Sequence, residues 1–547
     1  MLRWLVVFAL ALAVYLPGSS TPFSNTAESQ EALVVWEMVD GGDWVLPRLN
    51  GELIPSKPPL FHWLAVGFAH LTGEVNELTV RLPSIVAAAA GVGLVYVAGA
   101  AAWGDAAGAI AAVALATSPE WAKWATTART DATFTLFLTA ALLLGERWLR
   151  SGRAAALVGA AALTACATLA KGFAGAGLVG LVLLLELWRR GAWRQLRPGA
   201  LALAAASFAV VAVSWYAAAL ARAGFDFFHK QIILENVLRF LPYEEGGPSR
   251  KHAIWFYLPM LLTGMLPWSF GLPHALQRGF RERRADPFSG FLLSWFVVVF
   301  AVCTAASGKR TNYLLPAYPA AALLIGRQLA SVLADASAGS LRRSMAALGW
   351  SAAAVVCAVA MLLLAWHVGL HPWAPIIPWL HPQDRVLFPQ MAEQVGPPGL
   401  LAVAVTVALA AGLVAATAMA AWRALYALIG GALVLVTLAA CATVNPLEST
   451  LKSFAPFTGR VTSTVGQAPL TFFQAADFAV LFYLRRHVPV ERGSFAAITR
   501  PGWALVWQKD WDALPLALRD RLRVADRSPA ASVGRPDTQL LLVYIPS

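Results

Sequence analysis

Long apolar runs alternate with short polar connections along most of this chain. A helix of roughly 20 apolar residues crosses about 30 Å of hydrocarbon, so each long run is a candidate membrane span. The pattern predicts an all-α polytopic membrane protein with about 13 transmembrane helices. They lie at about 2–18, 82–103, 106–118, 131–148, 154–169, 172–188, 198–221, 253–273, 288–306, 312–330, 344–366, 399–421 and 424–443.

Two long polar stretches interrupt this pattern, one after the first span and one at the end. Residues 19–81 form the first long loop. From about 444 the chain becomes rich in charge and contains the strand-like runs FAAIT, WALVW and LLLVYI. Its length suits a small α/β unit. The sequence therefore predicts a membrane domain over 1–443 and a soluble C-terminal domain over 444–547.

Charge placement orients the chain in the membrane. Arginines recur in alternate connections, as the positive-inside rule requires of cytoplasmic loops. They include Arg147, Arg150, Arg153, Arg189, Arg190, Arg194, Arg197, Arg278, Arg281 and Arg423. This predicts a multi-pass inner (cytoplasmic) membrane protein with a cytoplasmic N-terminus and a periplasmic C-terminal domain. The first run resembles a signal peptide in length, but the alternation works only if it stays as a span.

Composition supports this class and excludes others. Of 547 residues, 58% are hydrophobic and 13% charged, whereas soluble domains are about 25% charged. The net charge of +12 follows from membrane orientation and does not indicate nucleic-acid binding. No Walker or GxGxxG loop occurs, so an enzyme here would not use ATP or a cytosolic nucleotide sugar. The four cysteines lie in apolar spans without metal-ligand spacing.

The first loop contains a predicted amphipathic helix, NTAESQEALVVWEMVDGG, ending at Gly41-Gly42. Glu28 and Glu31 lie three residues apart and so share a face. Glu28 has two interpretations: a catalytic acid, or the third position of a capping box that begins at Asn25. The apolar side of the helix, with Leu33 among its residues, predicts that it lies flat in the membrane interface.

Several charged residues lie where a membrane protein has few. Asp131, beside Arg129, lies near the outer end of a span, where a carboxylate usually faces a polar cavity. Basic residues also gather on the outer side, against the charge rule, and suit either a lipid phosphate or pyrophosphate or the anionic lipids of the outer leaflet. They are Lys57, Lys171, Arg239, Arg250, Lys251, Lys309 and Arg310.

Further cavity candidates follow in FFHKQIILENVLRF and HAIWFYLP. They are Glu235, Arg239, His252 and Tyr257. Aromatic residues at the start of a span are also typical of an interfacial belt, and a lone histidine there is usually neither base nor ligand. The histidines at 367, 371 and 381 do not have convincing metal-site spacing.

An ordered series of motifs carries a family resemblance. GDWVLPRLNG and SKPPLFHWL, then ART-Asp131, Ala170-Lys171-Gly172, ENVLRF, HAIWFYLP and GKRTNYLLPAYPAAALL, resemble bacterial glycosyltransferases related to protein O-mannosyltransferases. The aminoarabinose lipid A transferases, with the GT-C fold, are the most similar branch. The motifs cover about residues 1–330. In the remainder of the chain only the arrangement of spans and the soluble tail is similar.

The resemblance implies an inverting glycosyltransferase that moves a sugar from a polyprenyl-phosphate carrier to lipid A or another envelope acceptor. Glu28 and Asp131 would be the catalytic acids. The donor phosphate would be held by Lys57, Arg250, Tyr313, Lys171 and Lys309. Cations alone can stabilise a phosphate leaving group, and a base is needed only for a hydroxyl acceptor.

Two departures from the family pattern leave the substrate open. Ala27 stands where the family has its first loop aspartate, and Ser56 replaces the glutamate before the Lys-Pro turn. The sugar, with 4-amino-4-deoxy-L-arabinose as one choice, and any divalent metal therefore stay open. Three other functions also stay open: a protein O-glycosyltransferase, a transporter of lipid-linked sugars, and an inactive relative with a binding role. A transporter is expected to have similar halves and polar residues within several spans, neither of which the sequence has.

Overall fold

The computed structural model describes residues 2–53, 57–237, 252–334, 339–380, 382–493, 495, 501–529 and 536–546. Arg239, Arg250, Lys251, Ser56 and His381 lie outside these residues. Within them, nine helices are long and apolar enough to cross a membrane. Every predicted span falls on helical structure. The multi-pass membrane class is therefore confirmed, while the number of crossings stays a prediction.

Among the described residues of the first half of the chain, the elements are helices apart from one hairpin, β1–β2. Its elements are α1 (Leu2–Tyr15), α2 (Thr26–Gly41), β1 (Arg48–Leu49), β2 (Glu52–Leu53), α3 (Leu60–Thr72), α4 (Glu77–Trp103), α5 (Asp105–Ala116), α6 (Pro119–Ala125), α7 (Thr130–Ser151), α8 (Ala154–Lys171), α9 (Ala174–Arg190), α10 (Pro198–Phe208), α11 (Ser214–Phe227), α12 (Tyr257–Gly264), α13 (Leu272–Glu282) and α14 (Pro287–Ala305).

The second half completes the membrane helices and then forms a sheet. Its elements are α15 (Tyr318–Ala334), α16 (Gly339–His367), α17 (Pro382–Val395), α18 (Leu400–Ala418), α19 (Trp422–Ala439), α20 (Asn445–Lys452), α21 (Ala455–Val465), β3 (Leu470–Phe473), α22 (Phe478–Leu484), β4 (Val490–Glu491), β5 (Gly502–Trp507), α23 (Gln508–Asp512), α24 (Leu516–Arg519), β6 (Arg523–Arg527) and β7 (Leu540–Ile545).

The sheet belongs to a C-terminal unit, which we define as the described residues from 455 onward. Its strand order is β4-β3-β5-β7-β6. β3 pairs in parallel with β4 and β5, whereas β7 pairs antiparallel with β5 and β6. The runs WALVW and LLLVYI form β5 and β7 as predicted, and FAAIT falls largely outside the described residues. The predicted domain boundary at 443/444 lies inside the helical run from Trp422 to Lys452.

The first loop and the C-terminal unit share one apolar core. Leu33 of α2 and Phe61 of α3 are buried together with Phe457, Phe472 and Leu542 of the unit. The prediction that α2 lies flat in the membrane interface is therefore wrong. Its apolar face is covered by protein, and Leu33 is 1% exposed. The sequence does not show this contact, because the covering residues of the C-terminal unit follow α2 by more than 400 residues.

Helix α2 begins and ends where the sequence predicts. The Asn25 side chain accepts a hydrogen bond from the Glu28 backbone N–H at 2.9 Å, which caps the first turn. At the other end Gly42 adopts a left-handed conformation, with φ of 68°. Such a conformation is easiest for glycine, which has no Cβ. Asn25 and Gly42 thus fix the length of the helix that carries Glu28 and Glu31.

Candidate active site

Glu28 is fully occupied by partners within the protein. Its two oxygens accept hydrogen bonds from Nε and Nη2 of Arg81 at 3.0 and 3.2 Å, and both side chains are buried. The Asn25 side chain also donates to it at 3.0 Å, and the Ala128 backbone N–H donates at 2.8 Å. A carboxylate with this many donors has little capacity left for a substrate. The geometry favours the structural interpretation of Glu28, with α4 as its partner.

Glu31, one helical turn further along α2, faces a different set of residues. Its Oε1 lies 2.8 Å from Nζ of Lys57 and 3.2 Å from Nη1 of Arg129. Its Oε2 lies 2.8 Å from Nε2 of His62 on α3. Because the carboxylate can only accept, the histidine ring carries its hydrogen on Nε2. Glu31 therefore holds two cations and an imidazole in fixed positions.

Asp131 forms the second centre, at the first turn of α7. Its Oδ1 accepts hydrogen bonds from Lys171, at the end of α8, and from the Asn312 side chain at 2.8 Å. Its Oδ2 is buried and has no hydrogen-bond partner among the described residues. Nε of Arg129 lies 4.0 Å from that oxygen. One oxygen of Asp131 is thus fixed by hydrogen bonds, and the other has lone pairs that can still accept a hydrogen bond.

Arg129 joins these two centres into one group, which we call the outer cluster. Its members are Glu31, Lys57, His62, Arg129, Asp131, Lys171 and Asn312. Three cations face two carboxylates, so the cluster has one excess positive charge with His62 neutral. The side chains of Lys57 and Lys171 are 16% and 15% exposed, and the others are more deeply buried. An excess cation out of water is costly unless an anion neutralises it.

Burial and charge pairing shift the pKa values of the first-loop members. Burial alone would raise the pKa of Glu31, but Lys57, His62 and Arg129 hold it well below its usual range. Burial lowers the pKa of Lys57, and its pairing with Glu31 offsets part of that effect. Glu31 is consequently ionised at neutral pH and is a weak base.

Two further predicted residues belong to the segment that supplies Asn312: Tyr313 follows it directly, and Lys309 precedes it by three residues. The Tyr313 ring has its centroid 5.0 Å from Nζ of Lys171, within cation–π distance. Lys309 is 6% exposed, and its ammonium donates to the Ala306 carbonyl at 2.8 Å. No carboxylate of the described residues lies within ion-pair distance of Lys309. The buried turn that precedes α15 thus adds a second uncompensated cation to the same outer region.

The remaining candidates are not part of the cluster. The hydroxyl of Tyr257 accepts a hydrogen bond from the Arg310 backbone N–H at 3.3 Å, so it supports the turn next to Lys309. His252 is exposed and stacks on Phe256, with ring centroids 4.2 Å apart. Glu235 is half-buried in the π-helical run Phe228–Val237. The predicted roles of these residues stay predictions.

Glu31, His62, Arg81 and Asn312 are absent from the residues that the sequence singled out for a role. Arg81 had a detectable signal, since it is a cation at the outer end of a span, like Lys171. Glu31 was visible only as a neighbour of Glu28 on the same face. The described residues contain no group of three histidine, cysteine or acidic side chains that could hold a metal ion.

Comparison with known proteins confirms the resemblance. Residues 56–216 match the family described as dolichyl-phosphate-mannose-protein mannosyltransferase. The undecaprenyl phosphate-alpha-4-amino-4-deoxy-L-arabinose arabinosyl transferase of Pseudomonas aeruginosa is 33% identical over 351 residues, 62% of this chain and 61% of that protein. The same-named protein of Erwinia tasmaniensis is 30% identical over 381 residues, covering 68% and 66% of the two chains. This chain is a relative of the aminoarabinose transferases.

The solved structures extend the likeness to the whole fold. The crystal structure of ArnT from Cupriavidus metallidurans bound to undecaprenyl phosphate superposes with a TM-score of 0.75 at 22% identity, over 99% of this chain and 98% of that one. The oligosaccharyltransferase of Archaeoglobus fulgidus has a TM-score of 0.50 at 10% identity, covering 93% and 69%. The predicted fold class, membrane helices of GT-C type with a small C-terminal α/β unit, is confirmed. The sequence match to the Pseudomonas relative reaches only about three fifths of that protein's length.

Proposed function

We propose that this protein is an inverting glycosyltransferase that uses a polyprenyl-phosphate sugar at the periplasmic face of the inner membrane. The acceptor we propose is lipid A or a similar envelope glycolipid. The names of the aligned relatives support the donor class and make 4-amino-4-deoxy-L-arabinose the first sugar to test. The proposed orientation places the N-terminus in the cytoplasm and the outer cluster on the far side, where a lipid carrier presents its headgroup.

The observation that carries the proposal is the excess positive charge of the outer cluster. Lys57 and Lys171 each have one carboxylate partner and further N–H groups that a phosphate oxygen can accept from. Lys309, three residues before Asn312, adds a further buried cation. A phosphate bound here would neutralise the excess charge. Its affinity would come from charge-assisted hydrogen bonds in a site largely closed to water.

During transfer the bond between the sugar C1 and the carrier phosphate oxygen breaks, and its electron pair stays on that oxygen. The leaving group gains negative charge as the bond breaks, so cations fixed around it stabilise the transition state more than the bound donor. Glu31 contributes by holding Lys57 and Arg129 in place before the donor arrives. It acts as a positioning residue in this mechanism.

The acceptor oxygen attacks C1 from the opposite face and forms the new glycosidic bond. For a hydroxyl acceptor its proton passes to Oδ2 of Asp131, the carboxylate oxygen that accepts no hydrogen bond from the described residues. For a phosphate acceptor no proton has to leave, and Asp131 orients Lys171 and the incoming group. Ala27 cannot supply a carboxylate, and Glu28 is occupied by Arg81, so Asp131 is the acid that we assign to the reaction.

Mass spectrometry of envelope glycolipids tests the proposal. Lipid A from cells that express the protein should carry one glycosyl mass that is missing from cells without it. An Asp131→Asn variant, expressed to the same level in the membrane, should give the unmodified spectrum. Identical lipid A spectra with and without the wild-type protein would exclude lipid A as the acceptor. Transfer to a protein substrate would then support the protein O-glycosyltransferase alternative.

A further inference from the structure

The hairpin turn of the first loop is held from two sides. Asn50 and Gly51 join β1 to β2 with φ of 54° and 79°, the left-handed geometry that an Asn-Gly turn adopts readily. The Asn50 side chain donates to the Val488 carbonyl at 2.7 Å and accepts from the Val488 N–H at 3.1 Å. It thereby pairs with the C-terminal unit as a neighbouring strand would.

Helix α2 holds the same turn from the opposite side. The Glu37 carboxylate, 7% exposed, accepts hydrogen bonds from the backbone N–H groups of both Asn50 and Gly51. His487 of the C-terminal unit lies near it, with Nδ1 4.0 Å from Glu37 Oε1. The turn is therefore bonded at once to the helix that carries Glu31 and to the segment 487–488.

This turn lies close along the chain to the donor site. Lys57 follows Asn50 by seven residues, and its ammonium pairs with Glu31, six residues before Glu37 on α2. Both members of the Glu31–Lys57 pair thus belong to segments that meet at the turn. A movement of the turn changes the separation of these two segments, and small changes in the position of a charge alter its interaction with a phosphate.

We propose that Asn50 is a positioning residue through which the C-terminal unit sets the geometry of the donor-phosphate site. The residue does not contact the donor. It keeps the hairpin, and with it Lys57, in register with Glu31. This inference rests on the proposed function, because it assigns the phosphate site to the Lys57 region, and it gives the C-terminal unit a role in donor binding.

The test uses the full-length protein in nanodiscs with Asn50→Gly as the variant. Glycine retains the left-handed turn and removes both side-chain bonds to Val488. The matched control is Arg48→Ala, which loses a 3.1 Å bond to the Gly51 carbonyl within the same hairpin and leaves the contact with the C-terminal unit intact. Two quantities are measured: the affinity for undecaprenyl phosphate and amide hydrogen exchange over the hairpin and α2.

We expect Asn50→Gly to weaken undecaprenyl phosphate binding by about tenfold, which corresponds to about 1.4 kcal/mol of binding free energy. Exchange should become faster in the hairpin and the last turns of α2, while Arg48→Ala matches the wild type in both. Wild-type affinity and exchange in Asn50→Gly would overturn the inference. If wild-type protein binds no undecaprenyl phosphate, the proposed function fails, and the exchange comparison still decides whether the turn is held by the unit.

Discussion

The Lys57 ammonium lies 2.8 Å from Oε1 of Glu31, and burial lowers the pKa of this lysine. A base with a lowered pKa loses its charge at a lower pH than an exposed lysine does. Phosphate binding needs the charged form. The affinity of the site for a phosphate should therefore fall as the pH becomes alkaline.

Undecaprenyl phosphate binding should weaken as pH rises through the lowered pKa of Lys57. In Lys57→Arg this loss should shift to higher pH, because a guanidinium stays protonated over the whole range. Binding titrations between about pH 7 and pH 11 measure the effect, with thermal unfolding at each pH as the control for folding. If binding weakens over the same alkaline pH range in the wild type and in Lys57→Arg, Lys57 does not contribute to the phosphate site.

Asp131→Asn should lower the rate of transfer by about 10²- to 10⁴-fold while the protein still folds and inserts, since it removes the carboxylate that we assign as the proton acceptor. The control is Thr135→Val, one turn further along α7, where a buried hydroxyl has no partner among the described residues. That variant should keep the wild-type rate. A purified assay with both proteins decides the assignment, and equal rates for Asp131→Asn and the wild type would contradict it.

Glu28→Gln and Glu31→Gln should fail in different ways. Breaking the buried Glu28–Arg81 pair costs about 3–5 kcal/mol, because Arg81 is left uncompensated, so this variant should unfold at a distinctly lower temperature. Its folded fraction should retain the wild-type rate. Glu31→Gln no longer holds Lys57 in place, and this variant should bind the donor more weakly. A stable but inactive Glu28→Gln would restore Glu28 as the catalytic acid.

Asp477 gives a stability prediction away from the active site. Its carboxylate caps α22, accepting from the Ala479 and Val480 N–H groups at 2.8 and 3.1 Å, and burial raises its pKa from 3.8 to about 6. Above that pH the buried charge destabilises the folded state, by up to about 3 kcal/mol. Below the unfolded-state pKa both states are protonated and the penalty is absent.

Asp477→Asn keeps an N-cap acceptor and carries no charge. Relative to the wild type it should gain stability as pH rises through about 6, and gain little near pH 4. Thermal unfolding of both proteins at acidic and alkaline pH measures the difference. A stability difference that does not change with pH would show that Asp477 does not titrate in this range.

The membrane helices and part of the site were predictable because their signals are local. A span needs only its own apolar residues, and cations on the outer side contradict a simple charge rule, which singled out Lys57 and Lys171. Asp131 was detected because a carboxylate near the end of a span usually faces a polar cavity. These inferences required no knowledge of which segments meet in the fold.

The choice between Glu28 and Glu31 could not be made from the sequence. Both lie on one face of α2, and what distinguishes them is the partner each meets: Arg81 from α4, or Lys57 and Arg129 from two other segments. The interfacial placement of α2 failed for a similar reason. An apolar helix face predicts burial, but it does not specify whether lipid or a distant part of the chain covers it.

The shared core of the first loop and the C-terminal unit has a consequence for biosynthesis. The loop, residues 19–81, is translated early, whereas Phe457, Phe472 and Leu542, which complete its core, come last. At about 5–20 residues per second, the loop waits roughly 20–90 s for its partners. The donor-binding end of the molecule can therefore assemble only when translation is nearly finished, and a chain that stops early has an unfinished core.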